Sequence, residues 1–378
     1  MSNIMNIAYL SSQVAFYGGE VYLYQLATGM RDRGHIVSCC VRPESELKRR
    51  LTLAGISTFT LPLVDWFDPI SIARLWRWIR QCGIEILHTH TPRDYYIAAV
   101  ATLGTSTVNI GSRHHLQPIS HGWIKKPFLG RFAKMIAVSD AVRSGILASR
   151  VMDPGRVMTI HNGIDTEREL PARDGLRRRA CLDLTKPVVG FVGRLCPDKG
   201  VETLLLSAQR LVQQGWSDLQ VFLVGDDLDG GRYKTRLQRI IRDLSLTPAV
   251  HFFGYVEDAA RAAADFDVQV VCSDAEPFGL VTLEGMAHSH PVVATAAGGS
   301  PEIIRDGIDG FLVPPRDPDA LATKIALLLT QPALRRSIGA EARTRVVEKF
   351  SLQRMLDRTE TVYKQLRCER YGYSSTSL

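Results

Sequence analysis

Short apolar runs alternate with longer segments in which apolar residues recur every three or four positions, and the alternation persists almost to the end of the chain. Asn6 to Leu10 is the first apolar run, closed by polar Ser11-Ser12. The loop Phe16-Tyr17-Gly18-Gly19 then opens a helical segment over Glu20 to Arg33. The same pattern predicts strands at Ile36 to Val41, Ser57 to Leu61, Ile84 to His88, Val108 to Arg113 and Lys134 to Val138. It predicts helices at Glu44 to Ala54, Pro69 to Gln81, Asp94 to Leu103 and Phe128 to Phe132, with another begun by Ser139-Asp140. Strands taken in turn with helices predict the α/β class, a mainly parallel sheet covered on both faces.

After a strand at Arg156 to Ile160 and the turn His161 to Asp165, the polar, Arg-rich stretch Thr166 to Arg179 has the composition of an inter-domain linker. A second α/β pattern starts at Pro187. Its strands are the runs ending at Gly193, at Gly225-Asp226-Asp227, at Val256, at Asp274 and before Gly298-Gly299, with a short strand in GFLVPP. From Pro318 to about Arg370 the pattern is helical and basic, and the tail YGYSSTSL is expected to fray. The expected domains are therefore 1–165, 166–350, and a C-terminal helix with its tail over 351–378.

A chain of 378 residues is long enough for two buried cores, and 45% hydrophobic with 22% charged residues places it among globular proteins. No apolar run reaches the roughly 18 residues that span a bilayer, and the start lacks a basic n-region with a cleavage site, so a cytoplasmic setting is expected. The seven cysteines are scattered and lack CxxC spacing, which argues against a disulfide framework or a zinc ribbon. A formal charge of +7 favours an anionic partner. Nucleic acid is set aside because no RNP-like stacking platform is present.

Candidate chemistry concentrates in Glu276 to Glu284, EPFGLVTLE, where two carboxylates bracket a turn and Gly279 opens a helix whose free N–H groups suit an anion. Arg194 and Lys199 follow another strand end, one a planar fork and one a point charge, as a diphosphate requires. Gly298-Gly299 before Ser300-Pro301 is a second anion-binding candidate. Gly18-Gly19 lets backbone approach a ligand, but no GxGxxG is present, so NAD is not expected. His88 and His90 share a strand face without a third metal ligand at suitable spacing. His114 and His115 follow a strand where an open sheet has its crevice, and His121 lies further along. Asp227-Leu228-Asp229 resembles a metal clip, yet no Glu closes a calcium loop, and a turn capping the helix from Arg232 is expected. Trp123, Phe128 and Phe132 interleaved with Lys125, Lys126, Arg131 and Lys134 suit an anionic membrane interface or an ordinary amphipathic helix.

Taken together, YGGE, AVSDAVR, HNGID, VGRLCPDKG, EPFGLVTLEGMA and AAGGSPEIIRDGIDGFLVPP resemble the retaining GT-B glycosyltransferases of family 4, also called group 1. The resemblance spans nearly the whole chain and is loosest in the first domain, where acceptors are chosen. It implies two Rossmann-like doubly wound domains facing a central cleft, with the C-terminal helix crossing back to the first. It implies a nucleotide diphosphate sugar donor, a UDP-sugar or GDP-sugar, and a glycan or lipid-linked acceptor, as in cell-envelope polysaccharide, lipopolysaccharide or glycolipid synthesis. No metal or other cofactor is implied, and a peripheral position on the inner face of the cytoplasmic membrane is compatible with the basic charge. By this likeness Arg194 and Lys199 hold the diphosphate, Glu284 the ribose, and Glu276 with Phe278, Gly279 and Leu280 the sugar. Gly18, Gly19, Gly225 and Tyr255 complete the donor site, and His114, or its neighbour His115, is the histidine at the reaction centre. Two rivals keep the fold: a sugar-nucleotide epimerase, which needs no acceptor, and a non-catalytic glycan- or membrane-binding scaffold.

Overall fold

The computed structural model of the protein describes residues 4–119, 122–167, 175–183, 185–227, 229–256 and 262–372. His121, Leu228, the linker residues 168–174 and the tail from residue 373 lie outside the described residues, as do the side chains of residues 122–124. The chain divides into two units, Met1–Gly163 with Leu352–Leu378, and Ile164–Ser351.

The first unit is built on seven parallel strands: β1 (Asn6–Ser11), β2 (Ile36–Val41), β3 (Ser57–Thr60), β4 (Ile86–Thr89), β5 (Val108–Arg113), β6 (Lys134–Ala137) and β7 (Val157–Thr159). Their spatial order is β3-β2-β1-β4-β5-β6-β7, and in register Tyr9 of β1 lies between Cys39 and His88. The chain builds outward from β1 to β3, then returns to place β4 on the other side of β1. That reversal is the topological switch point, where open α/β sheets bind ligands beyond the strand C-termini. Helices α1 (Gly18–Asp32), α2 (Glu46–Leu53), α3 (Pro69–Cys82), α4 (Asp94–Ala101), α5 (Gly122–Leu129) and α6 (Asp140–Ala148) link the strands. Ser45, Asp68 and Ser139 cap α2, α3 and α6 by accepting first-turn N–H groups, as short polar residues do at helix starts.

Two expectations need correction. The helix expected at Phe128 to Phe132 is instead α5, which starts at Gly122, tolerates Pro127 and ends where Arg131 and Phe132 fold into a turn on the Phe128 and Leu129 carbonyls. Phe132 is fully buried against Tyr95, and Phe128 packs on Tyr96, so these rings are not presented to a membrane. The second concerns the Arg-rich linker. Part of it forms helix α7 (Gly175–Arg179), and Arg177 is wholly buried, paired with Asp267 at 2.9 Å and donating to the carbonyls of Asp265 and Lys186. A charge run can thus be core when a buried carboxylate meets it.

The second unit repeats the plan with β8 (Val188–Val192), β9 (Gln220–Val224), β10 (Val250–Gly254), β11 (Val268–Val271), β12 (Val292–Thr295) and β13 (Phe311–Val313). All pairings are parallel and the order is β10-β9-β8-β11-β12-β13, the same reversal, now between β8 and β11. Helices α8 (Val201–Gln213), α9 (Arg232–Asp243), α10 (Leu280–Ala287), α11 (Ser300–Ile303), α12 (Pro318–Thr330) and α13 (Pro332–Lys349) cover it. Leu204, Leu205, Leu237, Ile325 and Leu328 form its core with the β-branched strand residues. The last helix, α14 (Leu352–Tyr371), belongs to the first unit.

Candidate functional site

At the β8 end, Gly193 turns the chain with a positive φ and donates to the Val224 carbonyl at 2.9 Å, while Leu195 donates to that of Asp226. A tight turn over Pro197–Lys199 follows, ending at Gly200, where a Cβ would collide with the Cys272 carbonyl beyond β11. Asp274 N donates to the Asp198 carbonyl at 2.9 Å, which ties the two switch-point loops together. Across this seam Lys199 Nζ meets Glu276 Oε1 at 2.5 Å, and Ser273 Oγ donates to the same oxygen at 2.6 Å. The two charged side chains are 20% and 13% exposed, so the pair is shielded yet open to a ligand. Arg194 stands exposed on the same loop.

Glu276 is held from its backbone as well. Its carbonyl accepts Gly299 N at 2.8 Å, and Gly298 runs so close that a Cβ would strike that carbonyl. The Gly298-Gly299 loop therefore shapes the Glu276 turn instead of serving as an anion nest: Gly299 N–H is occupied, and α11 behind it is a single turn. Phe278 is buried, its ring 5.9 Å from that of Phe350. Gly279, at φ 117°, is the N-cap of α10, and its carbonyl accepts Thr282 N and Leu283 N. The N–H groups of Leu280 and Val281 lie in the first turn, ahead of the intrahelical ladder. Glu284 follows one turn later, half-buried on the same helix.

Lys199, Glu276, Gly279 and Leu280 thus come together at one switch point. Gly225 closes β9 on the other side of β8, with Gly193 packed so tightly on it that no side chain fits, and its N donates to the Gly254 carbonyl. Tyr255, 68% exposed beyond the edge strand β10, is two strands from β8 and makes no side-chain hydrogen bond among the described residues. Ser273 was missed by sequence reasoning; its only signal is its place three residues before Glu276. Asp227, by contrast, accepts from Gly231 N and Lys234 N and caps α9, the structural role expected of it.

The switch point of the first unit gathers other residues. Gly18 and Gly19 open α1, and Glu20 closes its first turn by accepting Tyr17 N at 3.2 Å. Gly19 faces His114, with 3.9 Å between the place of its missing Cβ and the ring. The Tyr22 ring lies 5.0 Å from His114, and Nε2 of His114 is buried without a partner among the described residues. Burial first, then the nearby His115 and Arg113, hold His114 down to about 3, so its ring is neutral at ordinary pH. His115 is exposed and lines a different cavity, so the two neighbours are structurally distinct. His88 places Nδ1 2.5 Å from the Tyr363 hydroxyl and Nε2 2.8 Å from Ser112 Oγ, which occupies both ring nitrogens in structure.

Comparison with known proteins gives two family matches. Residues 16–168 match the model described as Glycosyltransferase Family 4, and residues 173–345 match Glycosyl transferases group 1. The phosphatidyl-myo-inositol mannosyltransferase of Mycobacterium leprae is 31% identical over 351 residues, covering 86% of this chain and 88% of that protein. The alpha-maltose-1-phosphate synthase of Mycolicibacterium smegmatis is 28% identical over 313 residues, 74% of this chain and 79% of that protein. Among solved structures, Anabaena HepE in complex with UDP has the same fold at a TM-score of 0.85 and 23% identity, covering 96% of this chain and all of its own.

Proposed function

Because the chain belongs to glycosyltransferase family 4, whose members are retaining enzymes of the hexosyltransferase type, we propose that it transfers a sugar from a UDP-sugar to a hydroxyl of a glycan or lipid-linked acceptor in cell-envelope synthesis. The observation that carries the donor assignment is the Lys199–Glu276 pair at the β8/β11 switch point, beside the first turn of α10. UDP bound to the structural relative supports uridine as the base.

In this reading the incoming diphosphate takes Lys199 and Arg194 as counter-charges. Glu276, released from its ion pair, accepts hydrogen bonds from sugar hydroxyls. The first-turn N–H groups of α10 add positive potential where the leaving group gains charge, and Glu284 holds the ribose. These groups neutralise the diphosphate without a metal. The anomeric C–O bond to the phosphate breaks, the acceptor oxygen bonds to the same face, and the departing phosphate takes the acceptor's proton. His114, neutral in its buried setting, serves as a hydrogen-bond partner to a sugar hydroxyl and not as a cationic acid.

A membrane-facing acceptor is supported by the surface from residue 64 to residue 80. Val64, Trp66, Phe67, Ile70 and Trp76 are exposed there beside Arg74, Arg77 and Arg80, and the two acidic residues of the span, Asp65 and Asp68, both precede α3. Apolar rings among cations suit an anionic lipid surface.

The test is a nucleotide panel read by thermal shift, followed by turnover. UDP should stabilise the wild type more than GDP or ADP, by about 2.7 kcal/mol at a hundredfold excess over Kd. Lys199→Ala and Glu276→Ala should each lower transfer by about a hundredfold or more, with EDTA without effect. UDP release that proceeds equally without acceptor would favour the epimerase class, and turnover surviving both substitutions would remove the site.

A further inference from the structure

The first unit contains a cavity of about 590 Å³, within the size range of small-molecule sites. It lies beside the His114 region but not in it: His115, not His114, reaches its wall. One side is aromatic, with Trp66 and Tyr96 edge to face at 5.7 Å and Leu129 beyond them. The other side is cationic. Arg113 is 6% exposed and gives one Nη to the Gln117 carbonyl; Arg93 gives its two to the carbonyls of Val64 at 3.2 Å and Ser12 at 3.4 Å.

Each of these guanidinium groups also keeps a buried Nε–H without a hydrogen-bond partner among the described residues, and the one buried carboxylate beside them, Asp94 next to Arg93, is engaged by Ser12 N. Arg113 is withdrawn from water and bonded only to neutral oxygens, so its charge is poorly compensated, and an anion would compensate it. Lys125 is a further cation in the lining, whereas Asp65, the one lining carboxylate among the described residues, is exposed and accepts Trp66 N at 2.6 Å. The lining is therefore predominantly cationic. Arginine forks match phosphate oxygens in geometry, and the aromatic wall matches an uncharged body.

We propose that this cavity seats an acceptor bearing a phosphate ester next to an apolar body, the phosphate on Arg113 and Arg93 and the body against Trp66, Tyr96 and Leu129. The assignment of the occupant as acceptor rests on the transferase reading above; the binding chemistry stands on the cavity. A soluble sugar phosphate shares the phosphate but lacks the apolar body, and the test separates the two.

The full chain would be titrated calorimetrically with n-octyl phosphate below its micelle concentration, with glucose 1-phosphate, and with octyl glucoside. Octyl phosphate should bind at least tenfold more tightly than either. Arg93→Gln and Trp66→Ala, at positions that are not fully buried, should each weaken it at least fivefold while UDP-induced thermal stabilisation is retained. Glucose 1-phosphate binding as tightly would overturn the apolar half of the proposal, and octyl glucoside doing so would overturn the phosphate half. Unchanged binding in both variants would remove the cavity as the site. A wild type that UDP fails to stabilise would sink the transferase reading and leave the titration result standing.

Discussion

At the residue scale, the chemistry is organised by pairing and burial. Lys199 and Glu276 are 77 positions apart in the chain and meet at 2.5 Å, so each holds the other in place. Glu20, in the first turn of α1, is buried enough to raise its carboxyl from the usual range to about 7. Its folded value lies above its unfolded value, so the cost of ionising it is absent below about pH 4.5, grows as pH rises, and is complete above about pH 7. Glu20→Gln keeps an acceptor for Tyr17 N. It should stabilise the protein at pH 8 by on the order of 2 kcal/mol and leave it unchanged at pH 4. Equal melting of the two proteins across that range would show that Glu20 is not desolvated. His88 and His114, held down to about 3, act with the opposite sign: their contribution is lost as pH falls from about 6.5 toward 3.

At the element scale, α14 is the clearest case of a segment whose partners are distant in sequence. Leu356 packs against α1 where Gly29 leaves no room for a side chain, Tyr363 reaches His88, Arg367 meets Glu85 at 2.8 Å, and Arg33 meets Asp357 and Glu360. Met355, Leu356, Val362, Tyr363 and Leu366 are all buried in the first unit's core. At about 1.5–3 kcal/mol per buried side chain, their sum rivals the roughly 5–15 kcal/mol that holds a domain folded. Ending the chain after Ser351 should therefore expose the first unit to proteolysis while the second, which keeps all its strands, stays resistant. Equal protection of both units would show α14 to be dispensable. The basic, helical composition of this segment was legible in the sequence, and the family resemblance implied that it crosses back to the first domain; its particular docking on α1 and β4 was not legible, because amphipathicity says that a face is buried without saying against what.

At the scale of the whole molecule, the charge of +7 becomes informative once located. Sequence periodicity directs a membrane reading to residues 123–134, but Phe132 there is buried and Phe128 is half-buried against Tyr96, and the exposed rings, beside Arg74, Arg77 and Arg80 as well as Asp65 and Asp68, belong to residues 64–80. Vesicles with an anionic lipid should carry the protein in flotation at low salt and release it at high salt, because Debye screening shortens from about 30 Å at 0.01 M to 3 Å at 1 M. Phe67→Ala with Trp76→Ala should abolish flotation. No flotation at low salt, or a variant that floats like the wild type, would remove the membrane assignment.

The alternation of strand and helix, the two repeats of it, and the glycine-bounded loops after β1, β8 and β11 were determined by the sequence alone, since hydrophobic period and turn chemistry are local properties. Family membership was legible for the same reason: its motifs are short and contiguous. Only the tertiary structure decided that Lys199 pairs with Glu276, that Gly298-Gly299 supports the Glu276 turn, that Arg177 is core, and that His114 and His115 serve different surroundings. Each of these depends on which loops the order of parallel strands brings side by side. That order is set by the packing of both sheet faces and leaves no periodic trace in any single stretch of chain.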